Sequence, residues 1–185
     1  MNTKNNEQFK SNEKTMLEIF MNLLKEKDIS KITVREICNE AHVNRSTFYN
    51  HFMDIYDMLD KAMQLHAIEV GKLFQYNKPS KDSKENLSII FEHILNNQIF
   101  YKAAFQSLAL DQLLNAFDFL FKFHEVDDYE NLSKKEKKKI DYQTNFYEKG
   151  IFSTLSYWLN HDCDLSVDEI VDIIIDFYPT LKRPH

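Results

Sequence analysis

Residues 32–52 read ITVREICNEAHVNRSTFYNHF and hold two helix starts in quick succession. Thr33-Val-Arg-Glu36 is a capping box, in which a Ser/Thr side chain and a Glu three residues on satisfy each other's unpaired backbone N–H groups. It opens a helix to about Ala41. Asn44 is an N-cap for a second helix, from Arg45 to about Phe52. Upstream, residues 13–27 (EKTMLEIFMNLLKEK) set Met16, Phe20, Leu23 and Leu24 on one helical face. An amphipathic helix followed by two short helices across a tight turn predicts a helix-turn-helix. Ile37, Cys38, Ala41, Val43, Phe48 and Phe52 are its expected inward set. Arg35, Asn44, Arg45, Ser46, Tyr49, Asn50 and His51 are the outward set, able to reach bases and phosphates, with no carboxylate among them. Both acids of the unit, Glu36 and Glu40, fall on its first helix. A second helix free of acid suits contact with a polyanion, although a polar helical hairpin would show the same spacing.

Composition sets the rest of the frame. The 185 residues are 43% hydrophobic and 28% charged, enough for a core. Only Gly71 and Gly150 occur, with Pro79, Pro179 and Pro184. Neither G-x-G-x-x-G nor G-x-x-x-x-G-K-[ST] can be written with them, and turn-rich β architectures are disfavoured. An all-α fold is expected. Cys38 and Cys163 are far apart, and neither a signal peptide nor a long apolar run is seen, so a cytoplasmic, membrane-free chain with free thiols is expected. The net charge is −6 but uneven, with eight Lys/Arg against seven Asp/Glu in residues 1–53 and 15 against 22 in residues 54–185. Any nucleic-acid contact therefore belongs to the N-terminal third.

Beyond the motif, Asp54 caps a fourth helix to about Gln75, and 76–83 (YNKPSKDS) is a turn. Leu87, Ile90, Phe91, Ile94 and Leu95 form a helical stripe, as do Leu110, Leu113, Leu114, Phe117 and Phe121. Residues 125–139 read as a charged loop or helix start. Two further helices are expected at about 136–160 and 166–178. The division expected is a head of residues 1–53 and a helical body of residues 54–185.

The segment 32–52 closely resembles the TetR family of bacterial transcription regulators. The matching positions are Thr33, Arg35, Ile37, Ala41, Val43, Ser46, Thr47, Phe48, Tyr49, His51 and Phe52. The similarity covers about residues 13–60. Phe100-Tyr-Lys102, Tyr157-Trp-Leu159 and Ser166-Val-Asp-Glu-Ile170 are similar to a short subgroup that includes regulators of dihydroxyacetone kinase genes, one a co-activator. Three positions depart from the family pattern. His42 stands where glycine is usual in the turn, Cys38 replaces a small alanine, and Ile55 replaces a lysine that touches phosphate in many members.

The resemblance implies a sequence-specific regulator of double-stranded DNA, acting as a homodimer on a pseudo-palindromic operator and responding as a repressor to a small-molecule effector. The alternative is a helical co-activator or adaptor working mainly through a protein partner. The expected DNA-binding residues are Thr33, Arg35, Asn44, Arg45, Ser46, Thr47, Tyr49, Asn50 and His51. Phe152, Leu155, Trp158, Leu159, Ile170, Ile174 and Phe177 are expected at the dimer interface. Phe91, Tyr101, Phe105, Phe117, Phe121 and Phe146 are expected to line an effector pocket, though each suits a core as well. No catalytic constellation is found, since no G-x-S-x-G and no cysteine–histidine signature occurs, and no cofactor is implied. His124-Glu125 and His161-Asp-Cys163 lack the spacing of a zinc site, so no metal ligands are expected. Lys134–Lys139 (KKEKKK) is expected to be a solvated helix start.

Overall fold

Local capping decides where most of the helices begin in the computed structural model, which describes residues 3–77, 83–117 and 131–177. In chain order α1 (Thr3–Glu26) and a 3-10 turn (Ile29–Lys31) precede α2 (Val34–Glu40) and α3 (Arg45–Tyr49). Then come α4 (Ile55–Asn77), α5 (Ser83–Asn96), α6 (Gln98–Ser107), α7 (Leu110–Ala116), α8 (Lys134–Asn160) and α9 (Val167–Phe177). Among the described residues there is no strand, and the fold is all-α. No helix among them is long and apolar enough to cross a membrane.

The same device opens three helices. At Thr33–Glu36, Ser133–Glu136 and Ser166–Glu169 the hydroxyl accepts from the Glu backbone N–H at 3.3 Å. The carboxylate in return accepts from the backbone N–H of Thr33, Ser133 or Ser166 at 2.9–3.0 Å. The hydroxyl also donates to the carboxylate, and with the backbone bond this holds the Glu136 and Glu169 carboxyls below their ordinary pKa, as it does Glu36 in second place to Lys27. Asp54 Oδ1 likewise accepts from the N–H groups of Tyr56 and Asp57, both at 2.8 Å, at the start of α4.

The chain divides into two compact units, Met1–Leu65 with Ile99–Ala109, and His66–Gln98 with Leu110–His185. The division falls inside α4, whereas the sequence places a boundary at 53/54, where that helix begins. In the first unit Met16, Phe20, Ile37, Phe48, Met58 and Leu59 are completely buried, and Leu23, Leu24 and Phe52 nearly so. In the second, α9 lies against α5, and Lys84 pairs with Asp172 between them. Val167, Ile170, Val171 and Ile174 form the buried stripe of α9, and Ile90, Phe91 and Ile94 that of α5.

Two helices differ from expectation. α1 begins at Thr3, ten residues before the stretch 13–27 read as helical from the sequence. α6, with Phe100, Tyr101 and Ala104 buried, is separated from α5 by Asn97 alone.

Candidate nucleic-acid interface

The helix-turn-helix is set by its caps. Lys27 donates to Glu36 Oε1 at 2.6 Å, tying the end of α1 to the first turn of α2. Together with the Thr33 hydroxyl and backbone bonds, Lys27 lowers the Glu36 pKa to about 2. α2 ends in a Schellman turn, with Val43 N–H donating to Cys38 O at 3.0 Å and His42 N–H to Asn39 O at 3.3 Å. The residue at the left-handed position is His42, with φ 54°. That geometry favours glycine, and a Cβ there costs ~1 kcal/mol or more. α3 then starts on Asn44, whose Oδ1 accepts from Thr47 N–H at 2.7 Å and from the Thr47 hydroxyl at 3.0 Å.

These bonds sort the expected DNA-binding set. Arg35, Asn44, Arg45, Ser46, Tyr49 and Asn50 are exposed, on or flanking the two short helices, with Tyr49 56% exposed. Among the described residues neither arginine is in an ion pair. No acid lies in the first turn of α3. The exposed face of α3 is thus free of negative charge, with guanidinium groups on both helices. Thr33 and Thr47 donate their hydroxyls to Glu36 and Asn44, so either can donate to a phosphate oxygen only by releasing that side-chain bond.

His51 corrects the outward set. Its side chain is only 1% exposed, with Nδ1 3.5 Å from Glu13 Oε2. The ring lies on Phe9, centroid to centroid 3.7 Å. Being two residues past the end of α3, the side chain turns back under α1 instead of following the exposed face. Phe9, in the extra turns of α1, and Glu13, at the start of the expected stretch, were not singled out from sequence, where a lone Phe in a polar run gives no periodicity. Ile55, at the position where many TetR regulators have lysine, is 8% exposed and packs inward.

The interface set also needs correction. Phe152, Leu155, Trp158, Leu159, Ile170 and Ile174 are each at most 7% exposed within the single chain. The Trp158 ring sits 5.6 Å from that of Phe91, and its Nε1–H donates to Leu165 O at 2.9 Å. These residues are core, because α9 turns its apolar stripe onto α5. The side chain of Phe177 lies outside the described residues. What α8 leaves exposed is Tyr142 (70%), Phe146 (73%) and Tyr157 (67%).

The expected aromatic set is divided between the two units. Tyr101 and Phe105 belong to the first unit, and Phe91, Phe117 and Phe146 to the second. Phe91, Tyr101 and Phe117 are buried, whereas Phe146 faces outward in an open patch with Lys135, Lys138, Lys139 and Tyr142. Phe121, His124 and Glu125 lie outside the described residues. His161 stacks on Tyr157 at 4.0 Å, and its Nδ1 is 2.8 Å from the Tyr157 carbonyl.

Comparison with known proteins agrees with this geometry. Residues 21–62 match the family described as "Bacterial regulatory proteins, tetR family", and residues 81–179 match "Transcriptional regulator C-terminal region". The HTH-type dhaKLM operon transcriptional activator DhaS of Lactococcus lactis subsp. lactis (strain IL1403) is 26% identical over 142 residues, 75% of this chain and 69% of its own length. The uncharacterized HTH-type transcriptional regulator YxbF of Bacillus subtilis (strain 168) is 25% identical over 175 residues, 86% of this chain. The match spans 43% of the length of YxbF. Among solved structures, a TetR transcriptional regulator from Streptococcus agalactiae 2603V shares the fold, with a TM-score of 0.64, 21% identity and coverage of 95% of this chain and 97% of that one.

Proposed function

The chain belongs to the TetR family of bacterial transcription regulators and carries its DNA-binding domain, and from this premise we propose that it works as a homodimer on a pseudo-palindromic operator, under the control of a small-molecule effector. Residues 1–53 are the DNA head in this reading and residues 54–185 the dimerising, effector-sensing body. Each α3 enters a major groove, where Arg45, Ser46, Tyr49 and Asn50 face the duplex and Arg35 reaches it from α2. The observation that carries the proposal is the acid-free exposed face of α3 with Arg35 beside it, in a chain of net charge −6. Repression is the simple outcome, since an effector that favours a head spacing unsuited to two successive grooves releases DNA by linkage.

The dimer seam we favour is the exposed face of α8, not the buried set expected from sequence. Tyr142, Phe146, Gly150, Ser153 and Tyr157 recur along one side of that helix, and nothing stands within 4 Å of the Cβ position of Gly150. Large exposed aromatics around a glycine suit close approach by a second copy.

Selection of bound duplexes from a random pool tests the reading. Enrichment of a two-fold symmetric site, its half-sites ~10 bp apart, is the expected result. Enrichment of no sequence would overturn it.

A second reading, activation through a protein partner, is favoured by the inward-facing Ile55 and by the name activator given to DhaS. Gel shifts on the selected site, with and without cell extract, separate the two. Binding only when extract is present supports the second.

A further inference from the structure

Away from the DNA head, three side chains converge on one point of the second unit. His66 and Glu69 stand one turn apart on α4, and His93 approaches from α5. His66 Nδ1 lies 3.3 Å from His93 Nε2 and 3.9 Å from Glu69 Oε2. All three ligand atoms are within 4.8 Å of one another. Two nitrogen donors held at ~2.0–2.1 Å by a tetrahedral zinc ion are themselves ~3.3–3.4 Å apart, so the imidazole pair already has the spacing of one edge of such a site. Glu69 is 61% exposed at its side chain, and a rotation of that free end by about 1 Å closes the remaining gap.

The geometry points to a divalent transition-metal ion of the zinc class, held by His66 Nδ1, His93 Nε2 and the Glu69 carboxylate. Two imidazoles and one carboxylate suit zinc and exclude magnesium and calcium, which require oxygen donors. Three protein ligands leave a fourth position for water or an added anion, as in exchangeable sites rather than closed structural ones. A hydrogen bond between the rings has the same nitrogen separation but needs no metal, and the experiment distinguishes them. The site does not depend on the DNA-binding reading.

The test uses the full chain, stripped with a chelator and dialysed. Cobalt(II) is titrated in and followed by visible absorption, and zinc is then competed against a chromophoric chelator. One equivalent of cobalt is expected to give the intense absorption of a four-coordinate ion, displaced by one equivalent of zinc. His93→Ala removes a direct ligand and should weaken zinc by more than the ~10–100-fold that losing an outer partner costs. Glu69→Gln, at an exposed position that folding tolerates, should also weaken it by at least ~10-fold. His161→Ala, at a histidine elsewhere in the chain, should leave affinity unchanged. Far-UV circular dichroism verifies that each variant is folded, and the Glu69→Gln result decides if His93→Ala is not. No four-coordinate cobalt spectrum in the unmodified chain would overturn the site. So would equal zinc affinity in Glu69→Gln, or a loss in His161→Ala matching that in the site variants.

Discussion

The imidazole of His51 rests on the phenyl ring of Phe9 at 3.7 Å, with the Glu13 carboxylate 3.5 Å from its Nδ1. A residue that resemblance assigns to the DNA face is thereby a packing element between α1 and the end of the motif. His51→Ala removes an almost fully buried side chain and should cost ~2 kcal/mol of stability in denaturant unfolding. DNA affinity measured well below the transition should change little. A large affinity loss at unchanged stability would return His51 to the DNA face.

Arg35 is expected to read bases. Its guanidinium can bond guanine O6 and N7 together, so Arg35→Ala should reduce the preference for operator over random DNA by ~1–3 kcal/mol and leave the assembly state intact. Equal losses on both DNAs would make it a phosphate contact. Tyr49→Phe removes one hydroxyl from an exposed ring and should weaken all sequences by ~1 kcal/mol.

His42 occupies the left-handed position of the Schellman turn. His42→Gly relieves the steric cost there but adds freedom to the unfolded chain, for a net gain of ~0.5–1 kcal/mol. Thermal unfolding checks it. A loss of stability would mean that the imidazole makes a contact stronger than the strain.

On α8 two aromatics should respond in opposite ways. Phe146→Asp should yield a folded monomer by sedimentation, since its ring is 73% exposed in the single chain. Trp158→Ala should cost ~3–5 kcal/mol of folding stability, because it opens the core beside Phe91. A Phe146→Asp dimer as tight as the unmodified one would move the seam elsewhere.

Glu36 gives the head an acid limit. Its pKa falls from an ordinary 4.5 to about 2 in the folded chain. A depressed carboxyl contributes stability that is present above pH 4.5 and lost as the pH falls toward 2. Melting temperatures across that window should fall more steeply for the unmodified chain than for Glu36→Gln, and parallel curves would remove Glu36 from the account.

Features written within a few residues are legible in the chain. Thr33 with Glu36, Asn44, and the Met16–Leu24 stripe need only caps and periodicity, and they fix the helix-turn-helix and its exposed arginines. What depends on distant partners is not legible. Ile170 and Ile174 look like a spare apolar face until α9 is known to lie on α5, far earlier in the chain. Trp158 looks like a seam residue until its indole N–H is seen on Leu165. His66 and Glu69 are one turn apart, but no spacing rule brings His93 to them.

The inward Ile55 has a consequence for how binding responds to salt. In the proposed dimer Arg35 reads bases, which leaves one guanidinium per copy, that of Arg45, for the phosphates, and no lysine at the start of α4. Counterion release by these two charges contributes a slope of about −2 in log affinity against log salt, well short of the ~−5 to −9 expected for six to ten phosphate contacts. Such a regulator holds its operator through swings of ionic strength that would strip a more basic one. It also lingers less on non-cognate DNA, so its search leans on repeated encounter rather than on sliding.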